Sequence, residues 1–271
     1  FKSDWYGRLT GPFGDELVPG AYLSKFCLIG YAYLLINEKT EKNILIQIIY
    51  LGIILVVCFV SGERMALATY SLGLLILLIF LNNKRLTIFF SLFLGFLIIF
   101  FIIKLHPFYN DYEVLESKQY HQGLKIEKKF PCEKNKSEIC SKIIQLQPSF
   151  TKILTNFESS AYGEIYLLAI KMTKDNFLTG IGISNFEKVC NNIPKYKNEM
   201  KNYNCASHPH NLYIQWLAEG GILTLTFFIF YLYFFINYMN KNGGEKGFKI
   251  LGIVIIIIMF WPIMSTGSLI K

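Results

Sequence analysis

Long uninterrupted apolar runs dominate the pattern of hydrophobic and polar positions along this chain. Several approach the roughly 20 residues that a helix needs to cross a bilayer. The run LTIFFSLFLGFLIIFFII has no polar face, which argues against buried helices of a soluble core. The pattern therefore predicts an all-α polytopic membrane protein with about six transmembrane helices, over residues 17–36, 44–61, 65–81, 86–103, 212–239 and 248–264.

Basic residues in the short loops predict the orientation of these helices. Lys and Arg are enriched in the cytoplasmic loops of membrane proteins. With six spans, the three short basic loops fall on one side, which we assign to the cytoplasm: residues 37–43, 82–85 and 240–249. The predicted organisation is an extracytoplasmic segment over residues 1–16, a four-helix segment over 17–103, a long extracytoplasmic loop over 104–211, a two-helix segment over 212–264 and an extracytoplasmic tail over 265–271.

The long loop is not uniform in composition. Residues 108–149 are rich in Lys, Glu, Ser and Gln, and we expect them to be loosely ordered. Residues 158–174 place apolar side chains at helical spacing. We therefore expect an amphipathic helix, packed on the membrane domain or lying at the membrane surface. The apolar positions are Ala161, Ile165, Leu168 and Met172.

Four of the six cysteines lie in the long loop, and an even number of loop cysteines suits an oxidising compartment. Pairing Cys132 with Cys140 and Cys190 with Cys205 would close two short loops, although four free thiols are the alternative. Cys27 and Cys58 lie inside apolar runs, where we expect them to be packing residues.

Composition agrees with a membrane protein and argues against a nucleic-acid partner. The 271 residues are 53% hydrophobic and 17% charged, with a mean hydropathy of +0.37, whereas soluble domains are about 25% charged. The net charge of +8 comes mainly from Lys in loops beside the apolar runs, not from a basic stripe on one face. Because the chain begins at Phe1 rather than at methionine, we expect it to be part of a longer protein.

Candidate functional residues gather at the predicted outer surface. Arg64 opens the third run, although an Arg at a helix end is often only an interface anchor. Arg8 lies in a Gly-rich stretch before the first run, and His208 and His210 flank Pro209 just before the fifth. Two guanidinium groups and an imidazole suit a diphosphate and a hydroxyl acceptor, because Arg binds phosphate bidentately and His can take a proton.

Other interpretations of the His-x-His segment stay open. Zinc binding would need further ligands, and none has diagnostic spacing. Asn211 can serve as a plain helix cap, with the histidines as surface residues. Glu219 lies about 13 Å deeper than His210 along a straight helix at about 1.5 Å per residue, so we expect it to pair or to face a polar cavity. Lys25 in the first run either extends toward the surface or contacts a ligand.

Four stretches resemble the O-antigen ligase and polymerase family of bacterial membrane glycosyltransferases. The strongest is SHPHNLYIQWLAEGG at residues 207–221, which is similar to the family's His-Asn block followed by an acidic residue and a glycine. Thr224 stands where family members commonly have a further glycine, which weakens the helix-turn prediction there. The other three stretches are DNFLTGIGISNFEKVC, SGERMALATYSLGLL and GRLTGPFGDELVPGAYL.

The resemblance implies an all-α bundle of ten or more spans, of which this chain would supply the C-terminal half. It implies transfer of a polysaccharide from an undecaprenyl diphosphate carrier to a lipid A-core sugar or to another repeat unit. The reaction would take place among membrane lipids at the periplasmic face of the bacterial inner membrane, without a metal or other cofactor. The implied roles are His210 as the base, Arg64 as the diphosphate ligand with Arg8 assisting, and His208, Asn211 and Glu219 as substrate contacts.

Two other functional classes compete with this interpretation. A transporter or flippase of lipid-linked sugars predicts polar residues through several spans and helices broken at mid-membrane. A membrane anchor that displays a binding loop predicts no consequence for the Arg and His positions. The motif GIG at residues 180–182 is not a dinucleotide loop, because a third glycine and a βαβ context are missing.

Overall fold

The structure is a computed structural model that describes residues 19–36, 41–105, 113–114, 128–129, 157–158, 160–201 and 203–263. Its elements are almost all helical, which confirms the predicted fold class. A two-residue antiparallel pair, β1 (Glu113–Val114) and β2 (Lys128–Lys129), is the exception within these ranges. The helices are α1 (Pro19–Ile36), α2 (Glu41–Val60), α3 (Arg64–Phe80), α4 (Arg85–Leu105), α5 (Ala161–Asp175), α6 (Phe186–Asn192), α7 (Pro194–Lys197), α8 (Leu212–Asn242) and α9 (Lys246–Met259).

Each of the six predicted apolar runs forms a helix. Within the described residues, four helices are long and apolar enough to cross a membrane: α1, α2, α4 with its preceding 3₁₀ turn (Asn82–Lys84), and α8. Helix α3 has 17 residues and α9 has 14, so they are shorter. Helix α4 buries one apolar face and exposes another that carries Phe89, Phe93, Phe96 and Phe100. Exposed aromatic faces of this kind suit contact with lipid and identify a membrane protein.

The chain divides into two compact units. Unit 1 comprises residues 1–148 and 243–259, and unit 2 comprises residues 149–242 and 260–271. In unit 1, α1, α2, α3, α4 and α9 pack together. Helices α2 and α4 approach closely because glycine faces glycine: a Cβ added at Gly95 would lie 3.2 Å from the carbonyl oxygen of Gly52. Large apolar residues fill the rest of this core, among them Leu28, Tyr31, Leu51, Leu55, Tyr70, Leu74, Leu77 and Ile88.

The first turn of α1 is capped by a carboxylate from elsewhere in unit 1. The Glu63 carboxylate accepts hydrogen bonds from the backbone N–H of Gly20 at 2.7 Å and of Ala21 at 2.9 Å. The first N–H groups of a helix have no partner within the helix, and its positive end attracts a negative charge. Glu63 therefore ties the turn between α2 and α3 to the start of α1.

Unit 2 has a small core of its own. Helix α5 is the amphipathic helix that the spacing predicts, and Ile165, Leu168 and Met172 on its apolar face are buried. This face packs against the first part of α8, where Ala218 is buried, and against α6 and α7 through Phe186 and Tyr196. The apolar face of α5 thus contacts protein within unit 2.

Helix α8 is interrupted at Gly221, whose φ of 70° and ψ of −173° are not helical. The break divides it into a short helix over residues 212–220 and a long apolar helix over residues 222–242. The long part covers roughly 31 Å at about 1.5 Å per residue, close to the ~30 Å thickness of the hydrocarbon layer. Glu219 thus lies in the short helix before the break, whereas the apolar pattern alone predicts one continuous span.

The Glu63 cap predicts a stability effect. Replacing Glu63 by Ala leaves two helix N–H groups without their anionic acceptor, and we expect a loss of about 1.5–3 kcal/mol. Detergent-solubilised protein is heated to a series of temperatures and then analysed by size-exclusion chromatography. The temperature at which half of the protein is lost from its elution peak measures this destabilisation. Glu158→Ala removes an exposed carboxylate outside the helices and should change stability by less than about 0.5 kcal/mol. Equal midpoints for the two variants would show that the cap contributes nothing.

Candidate functional site

The two histidines lie in a short segment between the disulfide and the start of α8. The ring centroids of His208 and His210 are 4.2 Å apart, and Ser207 Oγ lies within hydrogen-bond distance of His208 Nδ1, at 2.9 Å. His208 is buried, whereas His210 is half-buried and adopts a left-handed backbone conformation with φ of 55°. His208 is therefore not a surface residue, and the imidazole of His210 is more accessible to solvent than that of His208.

Two tyrosines of α5 flank the histidine segment. The ring of Tyr162 contacts the ring of His210 edge-on, with centroids 5.7 Å apart, and Tyr162 is 45% exposed. Tyr166 lies behind Tyr162, at 6.4 Å between ring centroids. Burial and the neighbouring Tyr162 raise the pKa of Tyr166 to about 12, although its hydrogen bond with Asn211 opposes that shift. Tyr166 is therefore a neutral phenol at neutral pH and forms a hydrogen bond with Asn211, next to His210 in the chain.

Asn211 is buried and acts as the N-cap of α8. Its side-chain oxygen accepts a hydrogen bond from the N–H of Ile214 at 3.1 Å, which is the usual capping geometry. Its amide group donates to the carbonyl oxygen of Pro262 at 2.7 Å. Asn211 therefore has the helix-cap role in the structure. Because His210 immediately precedes Asn211, the cap also positions His210.

Glu219 is almost fully buried, at 1% exposure. Its Oε2 accepts a hydrogen bond from Gln215 Nε2 at 3.2 Å, one helical turn earlier. Its Oε1 has no hydrogen-bond partner within the part of the chain that the structure describes. A buried carboxylate oxygen of this kind is costly, since burial removes its hydration. Gln215 and Glu219 thus form a buried polar pair on the short helix of α8.

Residues 176–185 form a loop that interlocks with the break in α8. The N–H groups of Ile181 and Gly182 donate to the carbonyl oxygens of Ala218 at 3.0 Å and Glu219 at 2.9 Å. In return, the N–H of Ile222 donates to the carbonyl oxygen of Phe177 at 2.9 Å. The loop therefore satisfies carbonyl groups at the end of the short helix, which have no partner within that helix.

Two glycines make this interlock possible. Gly180 has φ of 65°, and a Cβ there would collide with the backbone of Glu219 and Gly220. Gly221 has φ of 70°, and a Cβ there would collide with the backbone of Leu178 and Thr179. Glycine is needed at both positions, because only glycine adopts this conformation without strain and allows so close an approach. The GIG motif thus has a structural role that its sequence did not indicate.

Thr224, at the position where family members commonly have a further glycine, contacts the break in α8. Its hydroxyl donates a hydrogen bond to the carbonyl oxygen of Gly220 at 2.6 Å, across the break. The side chain of Thr224 therefore bridges the short helix and the long helix of α8. The turn is formed with a threonine at this position, so the weakness expected from the sequence does not prevent it.

The segment before the histidines is tied down by a disulfide between Cys190 in α6 and Cys205. The loop that it closes is also attached to α5: the carboxylate of Glu164 accepts a hydrogen bond from the N–H of Lys201 at 3.1 Å. Asp175 accepts from Lys195 at 2.6 Å and from Tyr196 at 2.9 Å. The Lys195 and Tyr196 hydrogen bonds lower the pKa of Asp175. These contacts leave His208 and His210 at the end of a braced loop.

In unit 1, charged residues cluster beside the turn that precedes α3. Arg64 is the first residue of α3, is half-buried, and follows directly after Glu63. Lys25 of α1 lies close enough to Glu63 for their charges to interact. The anomalous lysine therefore has an anionic neighbour, which neither of the two sequence interpretations included. Glu63 was not a predicted site residue, and its only sequence signal is its place beside Arg64.

Three predicted site residues and most of residues 108–149 lie outside the described residues: Arg8, Cys132 and Cys140. Within the described ranges, no group of three or more His, Cys, Asp or Glu side chains could hold a metal ion. The chemistry that the described site offers is therefore that of an accessible imidazole, His210, held by a capped helix, a braced loop and an aromatic neighbour.

Comparison with known proteins gives one family. A family model described as O-antigen ligase matches residues 49–229, more than half of the chain. The match includes Arg64, the 176–185 loop, the histidine segment and the break in α8, whereas Arg8 lies before it. The searches of curated proteins and of solved structures gave no match.

The disulfide predicts a protease test. Replacing Cys190 and Cys205 by Ser removes the closure of a loop of 15 residues, which corresponds to about 3 kcal/mol in the entropy model. We expect trypsin to cut faster after the lysines of the loop, Lys195, Lys197 and Lys201. Cleavage after the exposed Lys246 is the internal control, because it lies outside unit 2. Unchanged loop cleavage in the double variant would mean that the disulfide does not brace this loop.

The interlock predicts that replacing two glycines by alanine lowers stability by different amounts. Gly221→Ala combines left-handed strain, of the order of 1–3 kcal/mol, with a backbone collision. Gly244 also has a positive φ, of 74°, but nothing lies within 4 Å of a Cβ added there. Gly244→Ala therefore isolates the strain, and we expect it to lower the thermal midpoint in detergent less than Gly221→Ala does. Equal losses would argue against the interlock.

Proposed function

Because this chain belongs to the O-antigen ligase family, and its function is therefore of the O-antigen ligase or polymerase type, we propose the following reaction for it. A polysaccharide or repeat unit is transferred from an undecaprenyl diphosphate carrier to a sugar hydroxyl, at the periplasmic face of the bacterial inner membrane. The observation that carries this proposal is the placement of His210, a half-buried imidazole beside an exposed tyrosine ring.

The proposed step is a displacement at the anomeric carbon of the donor. The acceptor oxygen forms the new glycosidic bond while the bond from the anomeric carbon to the diphosphate oxygen breaks. The hydroxyl proton passes to the neutral imidazole of His210, and the bonding electron pair leaves with undecaprenyl diphosphate. A sugar hydroxyl is a weak nucleophile at neutral pH, so a positioned base can contribute about 10²–10⁴-fold to the rate.

Arg64 is the proposed ligand of the diphosphate. A guanidinium group keeps its charge and can hold two phosphate oxygens at once, which stabilises the leaving group. Support comes from its position at the first residue of α3, on the side that the basic loops predict to be extracytoplasmic. Arg8 is proposed to assist, on the sequence resemblance alone. We propose that no metal takes part, because the imidazole and the guanidinium supply the proton transfer and the charge stabilisation.

The residues around His210 have supporting roles in this proposal. Tyr162 offers an exposed ring on which an acceptor sugar can stack beside the base. His208 is in ring contact with His210, so its proposed role as a substrate contact would place the substrate against both imidazoles. Asn211 is proposed to orient His210 by capping α8. Glu219 is proposed to support the short helix of α8 through its buried hydrogen bond with Gln215.

The acceptor decides between ligase and polymerase, and a deletion strain distinguishes them. Loss of capped lipid A indicates a ligase, whereas single repeat units on lipid A indicate a polymerase. A flippase predicts helices broken at mid-membrane. The break in α8 at Gly221 instead precedes a stretch long enough to span by itself. This break therefore gives no support to transport.

We expect His210→Ala to reduce glycan transfer by about 10²–10⁴-fold, the usual contribution of a positioned base. Arg64→Lys should also be severely impaired, because lysine keeps the charge but loses the planar bidentate geometry. The assay is transfer from purified undecaprenyl diphosphate glycan to acceptor, with and without a chelator. An elution volume equal to that of the unsubstituted protein and the intact Cys190–Cys205 disulfide verify folding.

The control for this assay is Lys188→Ala, which changes an exposed residue of α6. His208 is unsuitable as a control, because it is buried and contacts His210. Full activity of His210→Ala would remove the proposed base. Loss of activity with chelator that zinc restores would replace the metal-free mechanism by one in which the histidines bind a metal.

A further inference from the structure

The loop that interlocks with α8 carries an apolar surface that the proposed reaction does not use. Phe177, Leu178 and Ile183 are 55%, 62% and 57% exposed. Residues 176–186, NFLTGIGISNF, contain no charged residue. Exposed apolar side chains clustered on one loop are unusual on a water-facing surface and mark a site of interaction.

The interlock places this loop beside the start of the long apolar helix of α8. The carbonyl oxygen of Phe177 accepts from the N–H of Ile222, the first residue after the break. Residues 222–242 have about the length of the hydrocarbon layer, and Leu223 and Phe227 in their first turns are exposed. The loop therefore lies at the depth where the lipid-facing surface of α8 begins, and its apolar side chains continue that surface.

The backbone of the loop is suited to this position. Irregular backbone is excluded from a lipid environment unless its polar groups have partners. Here the N–H groups of Gly180, Ile181 and Gly182 donate to Asn176, Ala218 and Glu219, respectively. The loop can thus expose apolar side chains at the lipid boundary without leaving these amide groups unsatisfied.

The residue pattern next to the loop agrees with a lipid partner. Lys174, in the last turn of α5, is exposed and precedes the apolar residues. A lysine beside an inserted apolar segment can extend to the lipid headgroups. Leu167 and Ile170, earlier on the same exposed side of α5, are also apolar.

We propose that residues 177–183 are a lipid-inserting loop, in which Phe177, Leu178 and Ile183 enter the boundary between headgroups and acyl chains. Segments at this boundary bury their apolar side chains about 5–10 Å deep. The loop holds the short helix of α8, so its insertion fixes the height of the histidine segment above the bilayer. This inference does not depend on which glycan is transferred.

Spin labelling tests the proposal in the full chain. Leu178→Cys and Ile183→Cys are labelled with a nitroxide and reconstituted in nanodiscs of phosphatidylethanolamine and phosphatidylglycerol. Collisions with oxygen report exposure to acyl chains, and collisions with a water-soluble nickel complex report exposure to water. Phe227→Cys on the long helix of α8 is the lipid reference, and Lys188→Cys on α6 is the water reference. The unsubstituted chain, treated in parallel, gives the background from native thiols.

We expect both loop sites to match Phe227→Cys, with high oxygen accessibility and a nickel accessibility severalfold below that of Lys188→Cys. High nickel accessibility at both sites would overturn the proposal, because the loop would then be in water. Low accessibility to both reagents would also overturn it, since a protein surface would then cover the loop. Peptide mapping of the Cys190–Cys205 disulfide confirms that each labelled variant is folded.

Discussion

The arrangement of unit 2 depends on how α8 ends one helix and begins another at Gly221. Ending a helix beside a membrane leaves carbonyl groups that need donors where water is scarce. The 176–185 loop supplies those donors to Ala218 and Glu219. Its approach is close enough that Gly180 and Gly221 cannot carry side chains. This backbone interlock therefore contributes, beside the packing on α5, to the direction of the short helix relative to the long helix of α8.

This interlock has consequences for the histidine segment. The short helix begins at Leu212, directly after the cap residue Asn211 and the half-buried His210. Its other faces are held by α5 and, through Asn211, by the carbonyl group of Pro262. The disulfide between Cys190 and Cys205 restrains the approach from the other side. The proposed role of His210 as a base requires such restraint, because rates fall steeply when reacting groups are misplaced.

In unit 1, the helix end that needs hydrogen-bond partners is an N-terminus, that of α1. The N–H groups of Gly20 and Ala21 need acceptors, and the Glu63 carboxylate supplies them. Glu63 immediately precedes Arg64, so the cap of α1 also fixes the start of α3. In both units, a polar group from a distant part of the chain completes a helix end next to a proposed functional residue. Polar groups at helix ends thus help to position both candidate sites, in addition to the packing of the apolar cores.

Features that depend on residues close together in the sequence could be predicted from the sequence alone. The spans, the amphipathic helix over residues 158–174 and the candidates His210 and Arg64 are local patterns, so the sequence alone indicates them. Hydrophobic periodicity depends on residues close together in the sequence, so it can be recognised without knowledge of the fold. The family resemblance also came from short stretches, and the matched region of residues 49–229 confirms it.

Other features required the tertiary structure. The burial of His208, the ring contact of Tyr162 with His210 and the cap by Glu63 join residues that are distant in the chain or depend on a particular turn. Hydropathy alone treats α8 as one span although Glu219, Gly220 and Gly221 interrupt its apolar residues, since hydropathy does not report a backbone angle. Only the loop packed against residues 218–222 makes a break there favourable, because it provides the hydrogen bonds that the helix loses.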